Sequence, residues 1–232
     1  MERRSSPNEP ASRIRANVHR ILASIPRGVT LLAAVKGRSP AEVRAAVGAG
    51  ITHLGANYVQ QAEALRPLLS TDLTWHLIGH LQSNKASKAV ALFDLVETVD
   101  SQRIALRLDR LCGRRERVLS VLIEVNSARE DGKTGVLPEA LEPLVESIAR
   151  LDHLRLRGLM TMGPAGDTDA ARRCFRDTRR RYDALRRRSG VGAGIDTLSM
   201  GMSDSYLVAI EEGATEVRLG RALFAPLPPS GP

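Results

Sequence analysis

The chain has 232 residues, 43% of them hydrophobic and 26% charged, which is the balance of a globular protein with a sizeable core. No apolar run approaches the roughly 20 residues of a membrane span, and no apolar segment follows the charged N-terminus as it does in a secretory signal. The two cysteines have neither metal-ligand nor disulfide spacing. We therefore expect a cytoplasmic protein with no membrane contact and no metal site.

The formal net charge of +8 raises the question of nucleic-acid binding. Much of the basic excess lies in residues 172–188, which contain nine arginines. Apolar residues recur through this segment at helical spacing, so the arginines fall on the outer face of an amphipathic helix. Aromatic residues make up only 3% of the chain, which leaves little for base stacking. A solvated arginine face is therefore favoured over a specific nucleic-acid surface, which is the alternative.

Apolar periodicity predicts strands and helices that alternate along the whole chain, after a first helix over residues 12–24. The eight predicted strands cover residues 30–35, 51–54, 73–78, 95–99, 118–125, 154–159, 197–200 and 216–219. The predicted helices between them cover residues 40–48, 59–69, 79–92, 100–111 with its cap, 138–150, 169–188 and 203–212. No helix is expected after the last strand, and residues 1–9 and 226–232 are expected to be disordered tails.

Regular alternation of this kind requires parallel strands, because successive parallel strands need a crossover connection. Eight such units in so short a chain predict a single (β/α)8 TIM barrel of the α/β class over residues 10–225, with an extra N-terminal helix. A doubly wound open sheet is the alternative, but such a sheet usually has fewer strands.

The first strand stops at one lysine, Lys36, after an apolar run over residues 31–35. An ammonium group cannot follow its strand into an apolar interior without a partner, so Lys36 must lie at the mouth of the strand. A lysine in that position can supply the amine of a Schiff base. The simpler explanation is a solvated lysine that begins a loop.

Polar residues also follow the other predicted strands, and the carboxyl ends of barrel strands open on one face. Two of these ends suggest an anion site. A glycine at Gly201 precedes Ser203 at a predicted helix start, and Gly220 lets a ligand approach the backbone amides closely. Barrels commonly bind phosphate after strands seven and eight. The further polar residues at strand ends are Asn57, His80, Asn126, Thr161, Ser199 and Arg218.

Five segments of the sequence carry a resemblance to a known family, namely residues 35–36, 55–60, 75–85, 158–161 and 198–204. They resemble the pyridoxal phosphate homeostasis protein family, and the likeness extends from about residue 14 to residue 224. Two positions depart from the family pattern, since Val35 stands where the family usually has Ser and Ala56 where it usually has Glu.

The resemblance implies a single barrel like the N-terminal domain of alanine racemase, of the fold-type III kind. It also implies a protein that binds pyridoxal 5′-phosphate (PLP) without a demonstrated catalytic reaction. Its expected role is to store, buffer or deliver PLP in the cytoplasm, with PLP-dependent apo-enzymes as partners. We expect a monomer and no catalytic residue.

The resemblance also assigns residues to the cofactor. Lys36 forms the internal aldimine, and Arg218 faces the pyridine nitrogen. A guanidinium keeps its proton at any working pH, so the ring would remain a weak electron sink. The alternative for Arg218 is an ion pair with Glu216 or another acid. The remaining residues implied at the site are Ser203, Gly220 and Arg221 on the phosphate, Ser199 and Met200 nearby, and Asn57 beside the cofactor.

An amino-acid racemase is the leading alternative function. Racemisation needs two acid–base groups on opposite faces of the substrate carbon. Lys36 can be one of them, but in alanine racemase the other is a tyrosine from a second domain of the partner subunit, and we expect no such domain here. A phosphate-sugar enzyme that uses Lys36 as acid, base or Schiff-base amine is a third hypothesis.

Overall fold

The computed structural model describes residues 9–226. The predicted tails lie outside these residues, apart from Glu9, which begins the first helix, and Pro226. The eight strands are β1 Thr30–Ala34, β2 His53–Ala56, β3 Thr74–Leu77, β4 Leu95–Val99, β5 Leu119–Glu124, β6 Leu154–Met160, β7 Thr197–Ser199 and β8 Glu216–Leu219. The helices are α1 Glu9–Ser24, α2 Pro40–Val47, α3 Val59–Leu65, α4 Ala86–Leu92, α5 Gln102–Gly113, α6 Leu141–Ile148, α7 Thr168–Arg186, α8 Tyr206–Glu211 and α9 Arg221–Phe224.

The strands form a closed barrel in the order of the sequence, and every neighbouring pair is parallel. This confirms the predicted (β/α)8 barrel and excludes the open sheet. The helix before β1 is the predicted extra N-terminal helix. No helix among residues 9–226 is long and apolar enough to cross a membrane.

Several predicted boundaries were wrong, the largest error being at α4, which begins at Ala86 rather than at residue 79. Strand β2 begins at His53, because Ile51 belongs to the turn after α2 and donates its N–H to the carbonyl of Ala46 at 3.2 Å. Helix α8 begins at Tyr206 rather than at residue 203. A short helix, α9, follows β8 where none was expected.

The barrel has two apolar regions among its described residues. The large core lies mainly between the strands and the surrounding helices, while Leu95, Leu122 and Met160 form a small separate cluster. Charged side chains on β3, β4 and β8 are also buried, so the barrel is not filled by apolar groups alone. Gly158 on β6 allows close strand packing, since a Cβ there would lie 1.8 Å from the carbonyl oxygen of Thr197.

Helix α7 buries the predicted face and exposes its arginines. Several arginines of residues 172–188 pair with acids on or next to neighbouring helices, as Arg172 does with Glu212 at 3.1 Å and Arg188, just after α7, with Glu146 at 3.1 Å. These pairs neutralise part of the basic surface and agree with a solvated helix face. The buried residues of α7 are Ala171, Cys174, Phe175, Thr178, Tyr182 and Leu185.

Helix α1 is hydrogen-bonded to the segment that follows β8. Asn17 is buried, and its Nδ2 donates to the carbonyl oxygens of Leu223 at 3.1 Å and Ala225 at 3.2 Å. These bonds satisfy the end of α9, whose start lies next to the carboxyl end of β8. The extra helix therefore supports the last strand–loop unit of the barrel.

We expect Asn17→Ala to lower the free energy of unfolding by about 2 kcal/mol, because it leaves two carbonyl groups without their donor. Chemical denaturation measures the change. Ser12→Ala on the exposed side of the same helix is the control and should change stability by less than about 0.5 kcal/mol. Equal stabilities for the two variants would contradict this role of Asn17.

Candidate functional site

A cavity of about 620 Å³ lies at the carboxyl ends of the strands. Its walls come from the segments after β1, β2, β3, β6, β7 and β8, as expected for the site of a parallel barrel. Six of the eight predicted site residues line it: Lys36, Asn57, Ser203, Arg218, Gly220 and Arg221.

Lys36 lies two residues after the end of β1, in a short turn between the strand and α2. Gly37 takes a positive φ of 70°, and Ser39 caps α2 in a capping box with Glu42. The Lys36 Nζ atom lies 5.9 Å from the centre of the Tyr58 ring. Of the four lysines in the sequence, only Lys36 lines the cavity.

Arg218 is the buried cation of the site, with 3% of its surface exposed. Its guanidinium donates to Ser199 Oγ at 2.6 Å and to the carbonyl oxygen of Thr161 at 2.9 Å. The Glu97 Oε2 atom lies 3.8 Å from Arg218 Nη1. Arg218 therefore pairs with an acid, as the alternative interpretation held, but the acid is Glu97 and the guanidinium still lines the cavity.

Behind Arg218, His76, Glu97 and Glu216 form a buried cluster. The His76 Nδ1 atom lies 2.8 Å from Glu97 Oε1 and 3.6 Å from Glu216 Oε2. Burial, together with the neighbouring Glu97 carboxylate, raises the pKa of Glu216 to about 8. Burial also opposes charge on Glu97, but hydrogen bonding from His76 and the nearby positive charges outweigh it and lower the Glu97 pKa.

The same three residues place potential metal-ligand atoms within 4.8 Å of one another. Both oxygens of Glu97 already accept hydrogen bonds, from His76 at 2.8 Å and from Ser199 at 2.6 Å. These bonds satisfy Glu97, whereas His76 Nε2 and Glu216 Oε1 are buried without a hydrogen-bond partner among the described residues.

The loops after β7 and β8 line the cavity, with residues that include Ser203, Asp204 and Gly220. Ser203 Oγ accepts a hydrogen bond from the N–H of Ala222 at 3.1 Å, which joins the two loops. Within residues 9–226, the N–H groups of Ser203, Asp204 and Gly220 donate no hydrogen bond. Such amides suit an anion. The predicted helix start at Ser203 was wrong, because residues 202–205 form a turn, so the amides rather than a helix dipole make this site.

Two predicted site residues lie outside the cavity lining. Ser199 and Met200 are both fully buried. Ser199 reaches the site only through its hydrogen bond with Arg218, and Met200 packs in the large core. Their predicted position near the cofactor stays a prediction.

A family model for the alanine racemase N-terminal domain matches residues 11–228. The pyridoxal phosphate homeostasis protein of Pseudomonas aeruginosa is 41% identical over 201 residues, which cover 86% of this chain and 85% of that protein. The protein of the same name from Escherichia coli is 38% identical over 210 residues, covering 86% of each chain. The chain belongs to the pyridoxal phosphate homeostasis protein family.

Solved structures agree with the fold of this family. PipY from Synechococcus elongatus without PLP has a TM-score of 0.86 at 36% identity and covers 91% of this chain and 100% of its own. PipY with PLP bound has a TM-score of 0.84 at 35% identity, with the same shares covered. An alanine racemase from Clostridium difficile has a TM-score of 0.78 at 16% identity, covering 94% of this chain and 58% of its own, and shares the fold alone.

Some strand-end residues found from the sequence do not line the cavity, and other lining residues were missed. His80 pairs with Asp100 at 3.2 Å, and Asn126 donates to the carbonyl of Glu130 at 2.9 Å inside its own loop. The missed wall is the loop after β6, from Met162 to Thr168. Glu97 was also missed, although a carboxylate inside a predicted buried strand was a usable signal for a buried partner.

The raised pKa of Glu216 predicts a loss of stability as the pH rises. Glu216 keeps its proton in the folded state up to about pH 8, whereas the unfolded chain releases it near the ordinary value of 4.5. The folded state is therefore favoured at low pH, and this stability is lost as the pH rises towards 8. We expect Glu216→Gln, which has no proton to lose, to become steadily more stable than the wild type between pH 5 and pH 8 in denaturant titrations. A constant difference across this range would contradict the assignment.

Proposed function

We propose that this protein binds PLP and serves in its intracellular homeostasis by storing, buffering or delivering the cofactor. The observation that carries the proposal is the meeting of one lysine, one buried arginine and a set of unengaged amides in one cavity. The names of the relatives and the PLP-bound structure of PipY support it.

The residues in the cavity fit three of the four polar groups of PLP: the aldehyde, the phosphate and the pyridine nitrogen. Lys36 can bond to the aldehyde carbon through its amine, with loss of water. The amides of Ser203 and Gly220 can donate to the phosphate, and Arg221 stands beside them. Arg218 can donate to the pyridine nitrogen.

Bound PLP supplies an electrophilic carbon and an aromatic ring that can accept electrons. Arg218 limits the second property, because a guanidinium does not release its proton to the ring nitrogen as a carboxylic acid does. The hydrogen bonds from Arg218 to Ser199 and Thr161 hold the guanidinium in place for this role. This chemistry favours holding the cofactor over turning over amino acids.

The racemase alternative has little support from the tyrosines. Tyr182 is buried on α7, and neither it nor Tyr206 lines the cavity. Tyr58 lies beside Lys36 itself, with its ring centre 5.9 Å from the amine. A second acid–base group would have to stand across the substrate from Lys36.

We take residues 10–225 as one barrel domain, because the closed barrel runs through them. A monomer is sufficient, since one chain supplies a cavity with all three kinds of donor. Cys112 and Cys174 are buried and free, which suits a reducing cytoplasm, where PLP-dependent apo-enzymes would be the recipients.

Borohydride reduction tests the covalent bond, because it converts a carbon–nitrogen double bond into a stable single bond. We expect mass spectrometry of the reduced, digested protein to find the cofactor on the peptide that contains Lys36. Lys36→Ala should lose both the adduct and the visible absorption of the bound cofactor. Lys133→Ala is the control, since Lys133 is exposed on another loop and should leave both signals unchanged. An adduct that survives in Lys36→Ala would contradict the assignment.

Comparison of PLP with pyridoxal, which has no phosphate, tests the amide site. Ser203→Ala removes the hydroxyl that joins the loops after β7 and β8. We expect its affinity for PLP to fall about tenfold, the value of roughly one lost hydrogen bond, while its affinity for pyridoxal is unchanged. The control, Ser120→Ala, lies at the opposite end of the barrel and should bind both ligands normally. Equal losses for the two ligands in Ser203→Ala would contradict a phosphate site.

A further inference from the structure

Glu97 is a charged residue in the middle of a completely buried strand, β4. None of its surface is exposed, and it does not line the cavity. A carboxylate in such a place is costly unless hydrogen bonds and a positive charge compensate it. Packing alone therefore does not explain a glutamate at this position.

The directions of the hydrogen bonds around Glu97 are fixed by chemistry. Arginine can only donate, so Ser199 Oγ accepts the 2.6 Å bond from Arg218. The single hydroxyl proton of Ser199 then goes to Glu97 Oε2, also at 2.6 Å. This order requires Glu97 to act as an acceptor, which an ionised carboxylate does at both oxygens.

The second oxygen of Glu97 is held in the same way. His76 Nδ1 lies 2.8 Å from Glu97 Oε1 and is the donor to it. Glu97 is thus clamped between β3 and β7, and it lies 3.8 Å from the guanidinium that it compensates. The Arg218 side chain is the one member of this chain of contacts that reaches the cavity.

We propose that Glu97 is a positioning residue, which acts through Ser199 to hold the Arg218 guanidinium in the orientation that faces the cavity. The inference deepens the proposed function and rests on it for the ligand that Arg218 meets. Removal of the carboxylate leaves a buried cation without its counter-charge, and this favours reorientation of Arg218.

The first experiment is independent of any ligand. In ¹⁵N–¹H NMR spectra of the protein without PLP, a guanidinium held by several acceptors should give separate Nη–H signals for Arg218, identified by their absence in Arg218→Lys. We expect Glu97→Gln and Ser199→Ala each to merge or broaden these signals. Signals unchanged in both variants would overturn the inference.

The second experiment uses PLP as the probe and reads its absorption spectrum and dissociation constant in the full-length protein. We expect Glu97→Gln and Ser199→Ala each to shift the absorption maximum and to weaken binding about tenfold. Both variants interrupt the same series of contacts, from Glu97 through Ser199 to Arg218. The double variant should therefore bind PLP no more weakly than either single variant. Additive losses would overturn the inference.

Glu124→Gln is the matched control for both experiments. Glu124 is also buried, with 3% of its surface exposed, at the end of the neighbouring strand β5, but it accepts from Thr134 at 2.6 Å and makes no hydrogen bond with Arg218. This variant should keep the wild-type spectra and affinity. If Glu124→Gln altered the spectra and the affinity for PLP as much as Glu97→Gln does, a specific role for Glu97 would be overturned. A wild-type protein that takes up no PLP would overturn the proposed function, whereas normal uptake with an unaffected Glu97→Gln would overturn this inference alone.

Discussion

The pairing of the first strand with the last is the constraint on which the site depends. Residues Thr30 to Ala33 of β1 run beside Glu216 to Leu219 of β8, in parallel and in register. This closure brings the lysine after β1 next to the arginine and the glycine of the final unit, nearly the whole chain away. Gly220 and Ala34 are in contact range, since a Cβ on Gly220 would lie 3.5 Å from the carbonyl oxygen of Ala34. Without closure, the amine and the anion-binding amides would not share a cavity.

The second constraint is electrostatic. The barrel buries two carboxylates, an imidazole and a guanidinium on strands β3, β4 and β8, and it fills further space with the small Leu95 cluster. Buried charges of this kind are tolerated when each has a partner. Removing one member of a pair destabilises the fold, because the other charge is left buried and uncompensated. The network lowers the free energy of unfolding, most clearly at Glu216. Its hydrogen bonds also fix the orientation of the Arg218 guanidinium. In this way the interior of the barrel serves the site at its mouth.

Much of this organisation could be predicted from the sequence. The alternation of short apolar runs with helical segments determined the barrel, and the end of the first run located Lys36. The route from Glu97 to Arg218 could not be predicted, because it depends on which residues of distant strands face the same interior. His80 and Asn126 show the same limit, since they follow strands as Asn57 does but turn to partners outside the cavity. The late start of α8 reflects hydrogen bonds between Met202 and Ser205 that close a turn instead of a first helical turn.

Among its described residues, the barrel has an amine, a buried guanidinium and amides without hydrogen-bond partners around one cavity, and we propose that they meet the aldehyde, the pyridine nitrogen and the phosphate of PLP. A crystal structure of the protein grown with PLP would test this claim most directly. It should show density that is continuous with the Lys36 side chain, a ring that faces Arg218 and a phosphate within hydrogen-bonding distance of the Ser203 and Gly220 amides. Density for PLP at another lysine, or at the opposite end of the barrel beside His53 and Glu216, would contradict it.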